Sequence, residues 1–315
     1  MFDRIKTLAS LYLELGLRWS AFRLAYAFRL RTGLIRLQMP MGEWSDYKKF
    51  RTERSDERSS RHVVEAPRLP ENVPWNKQTA VEEANRILSG EIKYFAHEFI
   101  KTGFPPNWHH DYVTLSDSEG SLSSKSEILR SQQTLPQNDM KKHWSQISDD
   151  STTDIKFIWE PNRFTFVYTL VRAYAATQDE KYPEAFWTLI EDWAQHNSPN
   201  TGPNWMDGQE IALRLMAWTF GYNAFLNSPS STPERTAKFI LLVAAQAERI
   251  YKNIGYAIST RSNHTISEAA GLWLVGLLFP ELKHAEKYLS LGKQLLEQEA
   301  ANQIFPDGSY AMYSL

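Results

Sequence analysis

The sequence predicts an all-α protein whose second half folds as an incomplete α/α toroid of helical hairpins, and three observations point there. From Trp159 onward, helix starts recur roughly every 20–30 residues. No alternating Val/Ile-rich strand interrupts them. Clusters of Trp, Arg, Glu, Asn and His stand at the ends of these helices rather than along one exposed face, which suits a ring closed on itself better than an open solenoid.

Residues 5–37 read as one or two amphipathic helices, broken near Gly16 and ended by Gly33, with Leu, Tyr, Trp and Phe on one side and Arg on the other. Arginines laid along the outside of a helical domain explain that pattern; contact of residues 1–37 with an anionic membrane surface is the rival explanation. A mixed-charge stretch from Lys48 to Arg61 leads to Pro67, Pro70 and Pro74, which mark an extended linker. The chain therefore divides into an N-terminal helical segment with linker, residues 1–75, and a toroid domain, residues 76–315. Within the latter, seven serines between Ser116 and Ser131 and few apolar anchors predict irregular, poorly ordered structure over about 114–154.

Regular spacing then resumes. Phe166, Leu170 and Tyr174 place a helix over Arg163–Thr177, and Phe186, Leu189, Ile190 and Trp193 place another over Tyr182–His196. Ile211, Leu215, Trp218 and Tyr222 define Asp207–Asn227. Pro233 stands near the start of Glu234–Gly255, whose stripe is Phe239, Val243, Gln246 and Ile250. Asn263–Phe279 is apolar nearly all round and ends before Pro280; His284–Asn302 follows.

Composition closes off several functions. The 315 residues carry 35 Lys+Arg against 37 Asp+Glu, a net charge of −2, so the basic stripe of a nucleic-acid binder is missing and no nucleic-acid partner is expected. The absence of Cys removes thiolate nucleophiles, disulfides and Cys-based metal centres. No run reaches the ~18 apolar residues of a membrane span, and charges interrupt the N-terminus too often for a signal peptide. Neither a Gly-rich phosphate loop nor a Gly-x-Ser-x-Gly elbow is present, so nucleotide and serine-hydrolase chemistry are not expected.

The groups that can carry chemistry stand in four motifs: Trp159-Glu160-Pro161-Asn162-Arg163, Asn204-Trp205 with Glu210 and Arg214, Ser262-Asn263-His264 with Glu268, and Phe305-Pro306-Asp307-Gly308-Ser309-Tyr310. Closed into a ring, their helix ends converge, and indole faces, guanidinium forks and neutral amides together suit an acidic polysaccharide. Each has a plainer explanation. Glu210 and Arg214 are spaced for an intrahelical ion pair, as are Glu160 and Arg163. Asn263 suits a helix cap, and His264 suits a packing position. His109-His110-Asp111 and His264-x-x-x-Glu268 offer too few convergent ligands for a catalytic metal, so no metal is expected.

Taken in order, Trp159-Glu160-x-x-Arg163, Asp179-Glu180-x-Tyr182, Asn204-Trp205, Glu210-x-x-x-Arg214, Asn263-His264-x-x-x-Glu268-x-x-Gly271-Leu272, Phe279-Pro280-Glu281 and Gln303-x-x-x-Asp307-Gly308 resemble the heparinase II/III-like polysaccharide lyases over about half of the chain. Trp19-x-x-x-Arg23, Gly33 and Pro40 look like the region that opens many such proteins. The resemblance implies an α/α toroid followed by a C-terminal β-sandwich, cleaving uronic-acid-containing polysaccharides by β-elimination without nucleotide or redox cofactor. It implies that Asn263 neutralises the uronate carboxylate, with His264 as neutraliser or base beside it. Trp159, Glu160, Arg163, Asn204, Trp205, Glu210, Arg214 and Glu268 are expected to hold substrate. A catalytic tyrosine follows the family's Asp-Gly stretch, where this chain has Tyr310 and Tyr313. The family tyrosine aligns just beyond Leu315, and the β-sandwich with its histidine is absent from this sequence, so the chain alone is expected to be weakly active or inactive.

Two other functions remain open at this point. One is a non-catalytic glycan-binding or assembly protein on the same ring. The other is an inverting glycoside hydrolase using carboxylates among Glu160, Asp207 and Glu210, which must stand about 6.5–9.5 Å apart. The resemblance implies a periplasmic or envelope location, whereas the missing signal peptide suggests the cytoplasmic side.

Overall fold

A computed structural model describes residues 2–52, 75–110, 139–148 and 155–311, with residues 2–15 described as backbone only. Helix α1 (Phe2–Thr32) is two helices joined at Gly16, where φ of 83° is readily available only to glycine. Gly33, also left-handed, separates it from α2 (Leu34–Gln38). The second part of α1 lies on the long helix α8 (Pro233–Thr260). There Trp19 donates its indole N–H to the Ser259 carbonyl at 2.7 Å, Phe22 packs on Gly255, and the Tyr26 and Tyr256 rings stand 4.8 Å apart. Leu17, Leu24 and Phe28 stay on the outer face of α1, exposed. A 3₁₀ segment, Trp44–Phe50, continues along α8, and Trp44 donates to the Ala194 carbonyl.

Helix α3 (Lys77–Leu88) starts at Asn76, whose side chain accepts from the Thr79 amide. It leads into an antiparallel hairpin, β1 (Glu91–Tyr94) with β2 (Glu98–Lys101). The hairpin departs from a purely helical fold, and local signals for it are faint. Its strands are four residues long, and the left-handed turn positions are Phe95 and Ala96 rather than the Asn-Gly that usually marks such turns. It is held from outside, since the Glu160 carboxylate accepts the Phe95 amide at 2.9 Å.

The remaining helices are α4 (Lys156–Asn162), α5 (Val167–Thr177), α6 (Lys181–His196), α7 (Gly208–Phe225), α8, α9 (Asn263–Leu278) and α10 (Ala285–Gln303). Helices α5 to α10 carry the stripes read from the sequence, but α4 was not foreseen, α5 starts four residues after Arg163 and α8 runs five residues past Gly255; caps explain several of the ends. Asp207, Thr232 and Ser262 accept backbone amides at the starts of α7, α8 and α9. Gln178 and Arg261 close α5 and α8 in left-handed conformation. Helix α9 packs against α7, α8 and α10, but it is not fully enclosed, since Trp273 and Leu277 on it stay exposed. Most of the tryptophans are core: Trp193 meets Trp218 edge-on at 5.1 Å, and Trp205 packs between Trp44 and Trp193.

Most of the stretch 114–154 lies outside the described residues. The part described, 139–148, is less loosely anchored than its composition suggests: Trp144 is buried with the Arg249 guanidinium 3.8 Å above its ring, and His143 bonds the Met39 carbonyl. Of the His109-His110-Asp111 run, Asp111 is outside the described residues. His109 is buried, its imidazole bonded to Asn197 at 3.1 Å, and desolvation lowers its pKa to about 4.

Two predictions follow from packing. Backbones of α9 and α10 touch at Gly276, where a Cβ would lie 2.4 Å from the Leu289 nitrogen and 2.6 Å from the Ala285 oxygen. Gly276→Ala, which in an open helix gains about 1 kcal/mol, will instead destabilise by about 1–3 kcal/mol in urea unfolding. His109 is kept neutral in the fold while the unfolded chain takes up its proton near pH 6.5, so its stabilisation is complete above that pH and is lost as pH falls toward 4. Comparison of wild type with His109→Gln will show about 2 kcal/mol more loss between pH 7 and 5 in the wild type.

Candidate active-site cleft

The cleft is built around the segment Pro203–Asp207, which runs from a 3₁₀ turn into α7. Three consecutive carbonyls of this segment are taken by two fully buried arginines. Arg214 donates to the Asn204 oxygen at 3.0 Å and, on its other edges, to the Asn162 carbonyl and the Gln246 side chain. Arg249 donates to the Trp205 oxygen at 3.2 Å and the Met206 oxygen at 2.9 Å. Trp159 adds an indole N–H to the Pro203 carbonyl. So fixed, Asp207 caps α7 by accepting the Gln209 amide at 2.7 Å and faces the first turn of α9.

There the two helix starts meet. The Asp207 carboxylate lies 3.4 Å from His264 Nδ1, and Asn263 donates its amide to Gln209 Oε1 at 3.1 Å. One turn further along α9, Glu268 is only 4% exposed and sits directly over Gly208, where a Cβ would come within 2.4 Å of the carboxylate. A cleft of about 400 Å³ opens over Asp207, His264 and Glu268, walled by Trp159 and, from the N-terminal helix, by Arg23. The Arg23 guanidinium rests on the Tyr256 ring at 5.2 Å.

Burial and neighbours set these charges. The His264 pKa is raised by its hydrogen bond to Asp207 against the effect of burial. Burial works against ionisation of Asp207, but the His264 hydrogen bond and charge, with the α7 amides, outweigh it and hold the carboxyl below its usual value. Glu268 goes the other way: burial pushes it up to about 8, with the nearby Arg249 charge only partly offsetting.

Glu160 and Arg163 form a separate network on an adjoining hollow of about 430 Å³. Arg163 grips Glu210 with two hydrogen bonds, Nε to Oε2 at 2.6 Å and Nη2 to Oε1 at 2.8 Å, and reaches Glu160 with Nη1 at 2.6 Å. Glu210 is thus paired across the ring rather than with Arg214 four residues on. Both carboxylates share one guanidinium.

Trp159, Asp207, His264 and Glu268 come together at the cleft, with Asn263 at its edge through Gln209. Asn204, Trp205 and Arg214 do not: each is buried to 1% exposure or less, so their expected role of holding substrate is corrected, Asn204 and Trp205 forming the loop and Arg214 holding it from below. Tyr310 donates to Gln303 Oε1 at 2.8 Å, and Gln303 donates to the Ser262 carbonyl at 3.2 Å, which brings this tyrosine to the start of α9. Tyr313 lies outside the described residues. Sequence reasoning missed Arg23, Gln209 and Arg249 as parts of the site. Arg249 lies mid-helix with no local signal, whereas Asp207, named from the sequence only as a helix start and a hydrolase carboxylate, is a helix cap facing His264.

The chain belongs to the heparinase II/III family: the family model described as Heparinase II/III N-terminus matches residues 76–315. A heparin-sulfate lyase of Bacteroides thetaiotaomicron is 34% identical over 148 residues, 46% of this chain and 20% of that protein. A heparin-sulfate lyase of Pedobacter heparinus is 28% identical over 155 residues, 48% of this chain and 23% of that protein. The chain thus spans at most about a quarter of these curated relatives. Among solved structures, the heparan sulfate lyase HepC of Pedobacter heparinus matches with TM-score 0.54 and 19% identity, over 81% of this chain and 34% of that one. A heparinase III matches with TM-score 0.56 and 20% identity, over 81% and 36%. These likenesses carry the toroid fold. No helix among the described residues is long and apolar enough to cross a membrane.

Removing the shared cation of the Glu160–Arg163–Glu210 network leaves two buried carboxylates unpaired. Arg163→Met will cost about 3–5 kcal/mol in urea unfolding, while Arg163→Met combined with Glu160→Gln and Glu210→Gln will recover more than half of the loss.

Proposed function

We propose that this chain is the toroid part of a polysaccharide lyase that cleaves an acidic, uronic-acid-containing polysaccharide by β-elimination. The observation that carries this reading is the meeting of His264 with Asp207 in a cleft that Arg23 also lines, with Asn263 next to His264 and bonded to Gln209. The C5 proton of a uronate becomes removable only when its carboxylate charge is offset and the enolate-like intermediate is stabilised as it forms. Asn263 supplies a neutral donor, the His264 imidazole beside Asp207 a polarised one, and Arg23 a cation within reach of a carboxylate or sulfate. Trp159 offers part of its indole to the cleft as a sugar-facing wall. Tyr310, linked through Gln303 to the start of α9, is the candidate for protonating the departing glycosidic oxygen. The similarity to heparin-sulfate lyases supports the substrate class.

Heparan sulfate and neutral dextran, titrated separately onto the chain, test this. Saturable, salt-sensitive binding of the acidic glycan alone is expected, weakened five- to tenfold by Arg23→Ala. Any formation of unsaturated uronate, followed by its ultraviolet absorbance, will fall at least a hundredfold in Asn263→Ala with binding changed only a few-fold. Equal binding of dextran, or elimination indifferent to Asn263→Ala, contradicts the proposal.

A further inference from the structure

Spacing along α9 brings only two metal-capable side chains together, His264 and Glu268. The fold adds a third. One ligand atom each of Asp207, His264 and Glu268 lies within 4.8 Å of the others, and the three come from two different helix starts. Ligands bound tetrahedrally at ~2.0–2.1 Å from a metal stand about 3.4 Å apart. The His264 Nδ1 to Asp207 Oδ2 distance is already 3.4 Å. Glu268 needs to close by little more than an ångström, a rotamer adjustment rather than a rearrangement.

Glu268 is the second, independent pointer. Its carboxylate is almost wholly removed from solvent and accepts no hydrogen bond from any described residue, although a buried carboxylate ordinarily has one or more. It is aimed at Asp207 and His264 across Gly208, the position where any side chain would fill the space its oxygens occupy. Arg249 is the cation behind the group, but its Nε and Nη2 are turned to the Trp205 and Met206 carbonyls, not to Glu268. The side of the cluster away from Arg249 faces the cleft.

We propose that Asp207, His264 and Glu268 form a binding site for a divalent transition-metal cation of the Zn²⁺ or Mn²⁺ type. One imidazole nitrogen with two carboxylates suits these ions, whereas Ca²⁺ calls for six to eight oxygens. Three protein ligands with one side open to the cleft is the arrangement that leaves a coordination position for water or for an anionic oxygen of a ligand. The proposal stands apart from the lyase reading, because the site is defined by this chain's own donors and is measured without any glycan.

Isothermal titration of the chain with Zn²⁺, repeated with Co²⁺ to read the visible absorbance of a low-symmetry nitrogen–oxygen site, tests it. One equivalent bound with micromolar or tighter affinity is expected, with the Co²⁺ band present. Asp207→Asn, His264→Gln and Glu268→Gln will each weaken binding at least tenfold while the far-ultraviolet circular dichroism stays helical. If Glu268→Gln fails to fold, the two partly exposed positions carry the test. Absence of one-to-one uptake, or uptake unchanged in Asp207→Asn and His264→Gln, overturns the proposal.

Discussion

Two arginines without access to water hold this structure's cleft in shape. Arg214 and Arg249 reach from α7 and α8 to the carbonyls of Asn204, Trp205 and Met206, so that three successive peptide groups, pointed away from any helix or sheet partner, are satisfied from below. Burying a guanidinium costs several kcal/mol. The cost is offset by charge-assisted hydrogen bonds to carbonyls and by the aromatic faces of Trp193 and Trp144, 4.4 and 3.8 Å from the two guanidinium carbons. Arginine suits this task because its planar fork bonds in several directions and keeps its proton; even with burial lowering its pKa to about 9, Arg214 remains charged at neutral pH.

What the arginines fix is the direction of α7. With Pro203–Met206 held, Asp207 enters the helix at the one place where its carboxylate meets His264, and Gly208 passes close enough to Glu268 that no side chain fits between. The start of α9 is set independently by the left-handed Arg261 and the Ser262 cap. Two rigid helix starts, each capped by its own side chain, therefore bring Gln209 against Asn263. The polar groups of the cleft thus sit on helix ends backed by a packed core, which keeps them in place at little entropic cost.

Helices of the ring were legible because burial on one face writes its period into the sequence: the stripes of α5 to α10 are local facts, although the cap of α9 is Ser262 and not the Asn263 that the sequence offered. The break at Gly16 was equally local. The hairpin β1–β2 was not, because four-residue strands leave little alternation and the tip is anchored by Glu160, 65 residues away. The site was half legible. Asn263, His264, Glu268 and Trp159 were recognised by motif, but motifs do not say which polar side chain faces in. Trp205 and Arg214 stand in motifs of the same kind as Trp159 and Arg163, yet they point to the core. The partner of Glu210 is on another helix, although its own helix offered one at the right spacing. Asp207, where the sequence places the start of a helix, is its cap; that it also faces His264 is a property of the ring.

The position of the cleft's polar groups depends on the carbonyl clasp formed by Arg214 and Arg249. A crystal structure of Arg249→Met will show whether it acts as described. The substitution keeps the length and apolar body of the side chain and removes the donors to Trp205 and Met206. The account predicts an intact ring in which the segment 203–207 has moved and Asp207 has left hydrogen-bonding reach of His264. An unchanged segment, with the Asp207–His264 contact still at 3.4 Å, would contradict it.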